Sequence, residues 1–171
     1  MKKSLFRAFL FSLIVFLALN FLFYIITYSM ADLFDLLINN ISDHPSHSIY
    51  LTTYPTHYFP WELFERFAET SSIEFKIYWL GGFISFVVAA VVAGFMGGDF
   101  LKSLGGWFLT VICTMVLLII VFAIDDYNLN YVSFTTTLAE GIVIVLITGI
   151  VNALIYGVIV FLIAFLTGRS D

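Results

Sequence analysis

The chain has 171 residues, of which 61% are hydrophobic and 11% charged, and its mean hydropathy is +1.05. A soluble domain averages about 45–50% apolar and about 25% charged residues, so this chain has too little polar surface to cover a water-facing exterior, which excludes an ordinary soluble enzyme domain and a disordered tail. The net charge of −5 excludes a nucleic-acid partner, whose phosphates require a basic face, and a single cysteine, Cys113, excludes a disulfide framework or a cysteine metal cluster.

What remains is an integral membrane protein forming one transmembrane domain over 1–171. About 20 apolar residues in a helix cross a hydrocarbon core of roughly 30 Å. Charge-free runs of that length predict spans at 8–29, 77–98, 103–124 and 141–167. Each is predicted to be a helix, because lipid offers the backbone no partner but itself. Runs such as Val87-Val88-Ala89-Ala90-Val91-Val92 lack the period of two that a transmembrane barrel needs. The predicted fold is therefore all-α, a four-helix membrane bundle. Lys2, Lys3, Arg7, Lys102 and Arg169 fall on one side of such a bundle and only Arg66 and Lys76 on the other. Positive charge marks the cytoplasmic side, which places both termini there and the 30–76 loop outside, in a cell membrane. Ten of the twelve acids then lie outside, giving that face a charge of about −8. Lys2-Lys3, the apolar run and Ser29-Met30-Ala31 also resemble a cleavable signal, but the apolar run exceeds the 7–15 residues of a signal core, which favours an uncleaved helix.

The long outer loop is predicted to carry one or two short amphipathic helices. Residues 31–38 read either as a short interfacial helix or as a continuation of the first span. At 60–69, Pro60 suits a first helical turn. Trp61, Phe64 and Phe67 then line one face and Glu62, Glu65, Arg66 and Glu69 the other. That aromatic face is a candidate partner or interface surface, or else a lid on the protein's own bundle. Between these helices, 41–58 reads as a loop with His44, His47 and His57. Pro45 disfavours a regular helix around His44 and no further ligand stands at a metal-binding spacing, so no metal site is expected. Asn40-Ile41-Ser42 matches the N-glycosylation acceptor triplet.

Within the membrane, Gly81, Ser85, Ala89, Ala93 and Gly97 recur every four residues in the second span, with Gly82, Ala90 and Gly94 beside them. Gly149, Ala153 and Gly157 repeat the device in the fourth. Small residues at this spacing let helix backbones approach closely. Two deeply placed amides, Asn20 and Asn152, are expected to bond across helices, to each other or to Tyr24, Tyr156 or Thr148, with a backbone carbonyl as the alternative. Asp125, Asp126 and Glu140 form an acidic rim at the outer ends of the third and fourth spans.

The four-span plan with a large first outer loop is similar in topology to that of claudins and other four-span junction proteins. The paired cysteines that mark the claudin loop are absent, since Cys113 lies in the third span. No ionisable residue interrupts a span and no catalytic or cofactor motif is present, so neither enzymatic activity nor a cofactor is expected. The sequence points to a structural or accessory subunit of a larger membrane complex, partnered by the bilayer and by other membrane subunits or itself. The alternative is a small oligomeric transporter or channel for a neutral or cationic solute, drawn by the outer acids.

Overall fold

The computed structural model describes residues 4–125, 128 and 137–167. Among the described residues seven α-helices follow one another: α1 (Leu5–Met30), α2 (Phe34–Asp43), α3 (Ser46–Thr53), α4 (Pro60–Glu69), α5 (Ile73–Gly97), α6 (Phe100–Ile124) and α7 (Leu138–Thr167). A 3-10 turn, Tyr54–His57, continues α3. The all-α membrane bundle is thus the observed fold, and α1, α5, α6 and α7 are the four helices long and apolar enough to cross a membrane.

The four long helices begin three or four residues before the predicted spans, because a helix is closed by its caps and not by the edge of the hydrocarbon. Ser4, Ser72 and Asp99 accept hydrogen bonds from the backbone N–H groups of Arg7, Phe75 and Lys102, which satisfies donors a helix start leaves open. Thr137 and Glu140 cap the start of α7 reciprocally: Thr137 N donates to Glu140 Oε2 at 3.1 Å and Glu140 N to Thr137 Oγ1 at 3.3 Å. At its far end α1 stops at Asp32, whose φ of 54° lies in the left-handed region that aspartate tolerates. Gly98, at φ 88°, makes the tight turn into α6.

α5 is the central helix, packing on α1, α6 and α7. Its small residues Gly81, Ser85, Ala89, Ala93 and Gly97 are all buried. A methyl group added at Gly81 would strike the Phe23 ring of α1, and one at Gly97 would strike Ser103 of α6. Gly94 meets Ile163 of α7 at 2.7 Å in the same test. In α7, Gly149 gives room to Met115 of α6, Ala153 offers its carbonyl to Trp107 Nε1 at 3.0 Å, and Gly157 lies in ordinary contact range of Leu104 and Trp107.

One expectation about the loop is corrected. Residues 46–57 are helical, not irregular, and they do not stay on the surface. α3 packs against α1 and α6, and the 3-10 turn packs against α7, α6 and α5. Every residue from Thr53 to Tyr58 is buried. The segment is a wedge driven into the bundle from the loop side.

Candidate functional site

The wedge is held by polar groups that reach out of the spanning helices. Asn20 of α1 donates from Nδ2 to the Thr52 carbonyl at 3.1 Å. Asn152 of α7 donates to the Tyr58 carbonyl at 3.0 Å and, over a longer 3.4 Å, to that of Thr56. Thr148 Oγ1 lies 2.8 Å from the Thr56 carbonyl and 2.7 Å from its own helix carbonyl at Ile144, with one proton to give. The two asparagines therefore bond neither to each other nor to Tyr24, Tyr156 or Thr148. They bond to backbone carbonyls that the end of α3 and the turn at Pro55 set free, and non-helical backbone at membrane depth is tolerated only where protein satisfies it. Asn20 stands ten residues inside the loop-side end of α1, a depth of about 15 Å at 1.5 Å per residue.

Two further features seat the wedge. Gly82 leaves the recess: a methyl group there would lie 2.8 Å from the Tyr54 hydroxyl oxygen and 3.3 Å from Pro55. Tyr54 fills that recess, donating to the Tyr78 carbonyl at 2.7 Å with its ring stacked on Tyr78 at 4.2 Å. At the loop end, His44 Nδ1 and Ser46 Oγ each meet Asp125 Oδ2 at 2.9 Å. His47 Nδ1 meets Asn128 Oδ1 at 2.8 Å, and Asn128 donates back to Ser46 at 3.1 Å. Burial lowers the pKa of His47, partly offset by its bond to Asn128.

One helical turn deeper than Asn20 and Asn152 lies a layer of four buried rings, one from each spanning helix: Phe16, Phe86, Trp107 and Tyr156. Phe86 stands at the centre, 4.8 Å from Phe16, 4.8 Å and near-parallel to Tyr156, and 6.3 Å edge-on to Trp107. Such offset and edge-to-face pairs add to the area they bury.

Beside the wedge, on the loop side, a cavity of about 350 Å³ is lined by Tyr24 and Tyr28 of α1, His47, Tyr50 and Leu51 of α3, Tyr58, Arg66 of α4, and Phe75, Tyr78 and Trp79 of α5. The Arg66 guanidinium lies 5.7 Å from the Tyr58 ring centre and 5.6 Å from that of Trp79, within cation–π range.

The other residues singled out in the sequence are not brought together. In α4, Leu63 faces inward and Phe64 packs on Phe83 of α5 at 4.5 Å, while Trp61 stacks on Phe59 and stays half exposed, as does Phe64. Phe67 lies under the Lys76 ammonium at 5.6 Å. The helix is thus a lid on its own bundle along one edge and open along the other. Asn40 sits in the last turn of α2, away from the cavity lining. His44, His47 and His57 do not converge, and among the described residues no three His, Cys, Asp or Glu side chains are placed to hold a metal ion. Asp125 is engaged by the loop, Glu140 caps α7, and Asp126 lies outside the described residues. Sequence reasoning missed the cavity entirely. Its one visible trace was the set of tyrosines at 24, 28, 50, 58 and 78, which have phenol tips that prefer a partly wet environment.

The fold and the wedge define a class: a four-span helical membrane protein whose loop-side segment re-enters its own bundle. Compared with protein-family models, curated proteins and solved structures, the chain matches none.

Proposed function

We propose that this protein is a non-enzymatic accessory subunit of a larger membrane complex, lying in a cell membrane with both termini cytoplasmic and the wedge entering from outside. The observation that carries this reading is the ring layer of Phe16, Phe86, Trp107 and Tyr156, each at most 2% exposed. Among the described residues it fills the bundle axis below the wedge, which supports a packing role over a passage through the single chain. The wide apolar faces left on α7, with Val143, Ile147, Ile150 and Leu154 all more than half exposed, suit lipid and neighbouring helices alike. The orientation rests on the distribution of lysine and arginine. The test is purification in a mild detergent followed by identification of stoichiometric companions. A complex with other membrane proteins supports the reading. A pure homo-oligomer that passes solutes in liposomes overturns it.

That second outcome is the alternative of a small oligomeric transporter or channel for a neutral or cationic solute. It is favoured by one observation. Asn20 Oδ1, Thr56 Oγ1, both ring nitrogens of His57, Asn152 Oδ1 and the Tyr156 hydroxyl are buried without hydrogen-bond partners, and they lie in the wedge itself or on α1 and α7. Buried polar groups are normally satisfied, so a wedge that moved during a transport cycle would give these atoms partners in its other state.

A further inference from the structure

On the accessory-subunit reading, on which this rests, we infer that the uncovered face of α4 docks a short amphipathic helix of a partner membrane subunit, one that sets lysine or arginine beside an apolar row. Trp61, Phe64, Glu65 and Ala68 stand at the spacing of one helix face, and all four are exposed. Glu62 and Glu69 extend the carboxylate row along its flank. The aromatic row is already ordered. The Trp61 ring lies near-parallel on Phe59 with centres 4.5 Å apart, and Phe64 rests on Phe83 at 4.5 Å, yet Trp61 and Phe64 are each half exposed. A tryptophan fixed in place is the kind of residue that carries binding energy at protein contacts. Phe83 stands seven residues past Lys76 in α5, about 10 Å at 1.5 Å per residue. The strip therefore descends beside the bundle below the level of that lysine, and a partner reaches it from the side and not from the solvent above. With ten residues, or about 15 Å, α4 matches a short partner helix laid along it.

The carboxylates select the partner's chemistry. Glu62 Oε2 accepts from Phe59 N at 2.7 Å, while Glu65 and Glu69 enter no ion pair among the described residues. Arg66 stands four residues after Glu62, a spacing at which such charges pair on a helix, but its guanidinium is turned onto the Tyr58 and Trp79 rings. Lys76 likewise lies over Phe67. Like charges one turn apart destabilise an isolated helix, and a cationic partner relieves that repulsion while adding complementarity. Lipid does not, because helices that lie among headgroups carry lysine and arginine toward the phosphates, which this row repels. A second copy does not either. A two-fold interface sets one patch against itself, acid row on acid row, and Arg66 and Lys76 are the sole basic residues of the sequence between Arg7 and Lys102.

The experiment presents the full chain, in nanodiscs of phosphatidylcholine, to two labelled amphipathic peptides of about 15 residues, long enough to hold a helix once docked. One carries leucine and lysine, the other leucine and glutamate with the same apolar row, and empty discs give the baseline. Fluorescence anisotropy is expected to show the lysine peptide bound about tenfold or more tightly, the contrast between attraction and like-charge repulsion over a few contacts, with the gap shrinking at high salt. Glu65→Lys with Glu69→Lys reverses the preference, a gain that a misfolded chain could not give, and Glu62 is kept for its bond to Phe59. Trp61→Ala weakens the lysine peptide without abolishing its advantage, the thermal midpoint staying near that of the native chain. Purification from native membranes separates this surface from the subunit reading. Companions lost from the charge-reversed chain support both, and companions it retains leave the subunit reading standing and overturn the surface. A native chain without companions that still prefers the lysine peptide overturns the subunit reading and keeps the surface. Equal binding of the two peptides, binding no better than to empty discs, or a native chain that dimerises through α4 overturns the inference.

Discussion

Asn20 and Asn152 do work in this protein that an amide in a helix bundle seldom does: they act as ligands for the backbone of another segment. A side-chain amide carries two N–H donors, and Asn152 uses both, on Thr56 and Tyr58. Leaving a buried carbonyl without a donor costs about 1–3 kcal/mol. Asn152→Leu is therefore expected to lower unfolding stability in detergent by about that much. Asn20→Leu, which frees only the Thr52 carbonyl, should cost less. Equal stability of the native and Asn152→Leu chains would show that the wedge needs no tether. His47 makes a second prediction at this scale. Its pKa is depressed by burial below the ordinary 6.5, so the folded state prefers the neutral ring. The contribution is present above about pH 6.5, the unfolded value, and is lost as pH falls below it toward the folded value. Thermal scans between pH 7.5 and 5 should show a decline that His47→Asn reduces. Nearby His44 and Asp125 remain in both chains, so the difference between the two scans reports His47.

At the scale of elements, the wedge depends on what α5 lacks. Gly82 has no side chain where the Tyr54 hydroxyl and Pro55 must lie. Gly82→Val is expected to push Tyr54 off the Tyr78 carbonyl and cost about 1–3 kcal/mol through overpacking. The direct readout is the reactivity of a cysteine at position 56, introduced by Thr56→Cys in a Cys113→Ser background. It should be slow to label with the wedge seated and faster after Gly82→Val. Slow labelling and native stability in the double variant would mean the recess can absorb the extra bulk. The helix behind this site, α3, was invisible in the amino-acid pattern for a physical reason. Its buried residues are His47, Tyr50, Leu51 and Thr53, half of them polar, while the apolar Ile49 is exposed, so no apolar periodicity of 3.6 marks the buried face. Serine, threonine and histidine there read as loop residues, because their compensation comes from α1, α6 and α7, far away in the chain.

At the scale of the whole molecule, the wedge completes the bundle. α5 touches all three other spanning helices, whereas the space flanked by α1, α6 and α7 on the loop side is taken by α3 and the turn. The fold is thus a four-helix bundle with a fifth, half-length element at its loop-side end, closed beneath by the ring layer. The proposed orientation has a simple check with an impermeant maleimide. In the Cys113→Ser background, Asp43→Cys and Glu69→Cys, both on exposed loop positions, should label in intact cells. Leu101→Cys, 71% exposed at the opposite end, should label only after permeabilisation. The reverse pattern would invert the topology and place the loop-side cavity on the cytoplasmic side.

The number and identity of the spanning helices, their alternating direction and the close-packing role of the α5 glycines were all legible in the linear chain. Each follows from a local rule: apolar length against bilayer thickness, and small residues at a spacing of four. The α4 helix was legible too, from Pro60 and the split between aromatic and acidic faces. What the chain alone left open is where the polar groups go. That Asn20 and Asn152 reach past each other to bind Thr52, Thr56 and Tyr58, that His47 and His57 are interior, and that Arg66 shares a cavity with five tyrosines depend on contacts between residues widely separated in sequence. Burial of apolar surface is proportional to area and blind to direction, so it can be read one segment at a time. Hydrogen bonds and cavities depend on the relative position of several segments, and only the folded chain decides that.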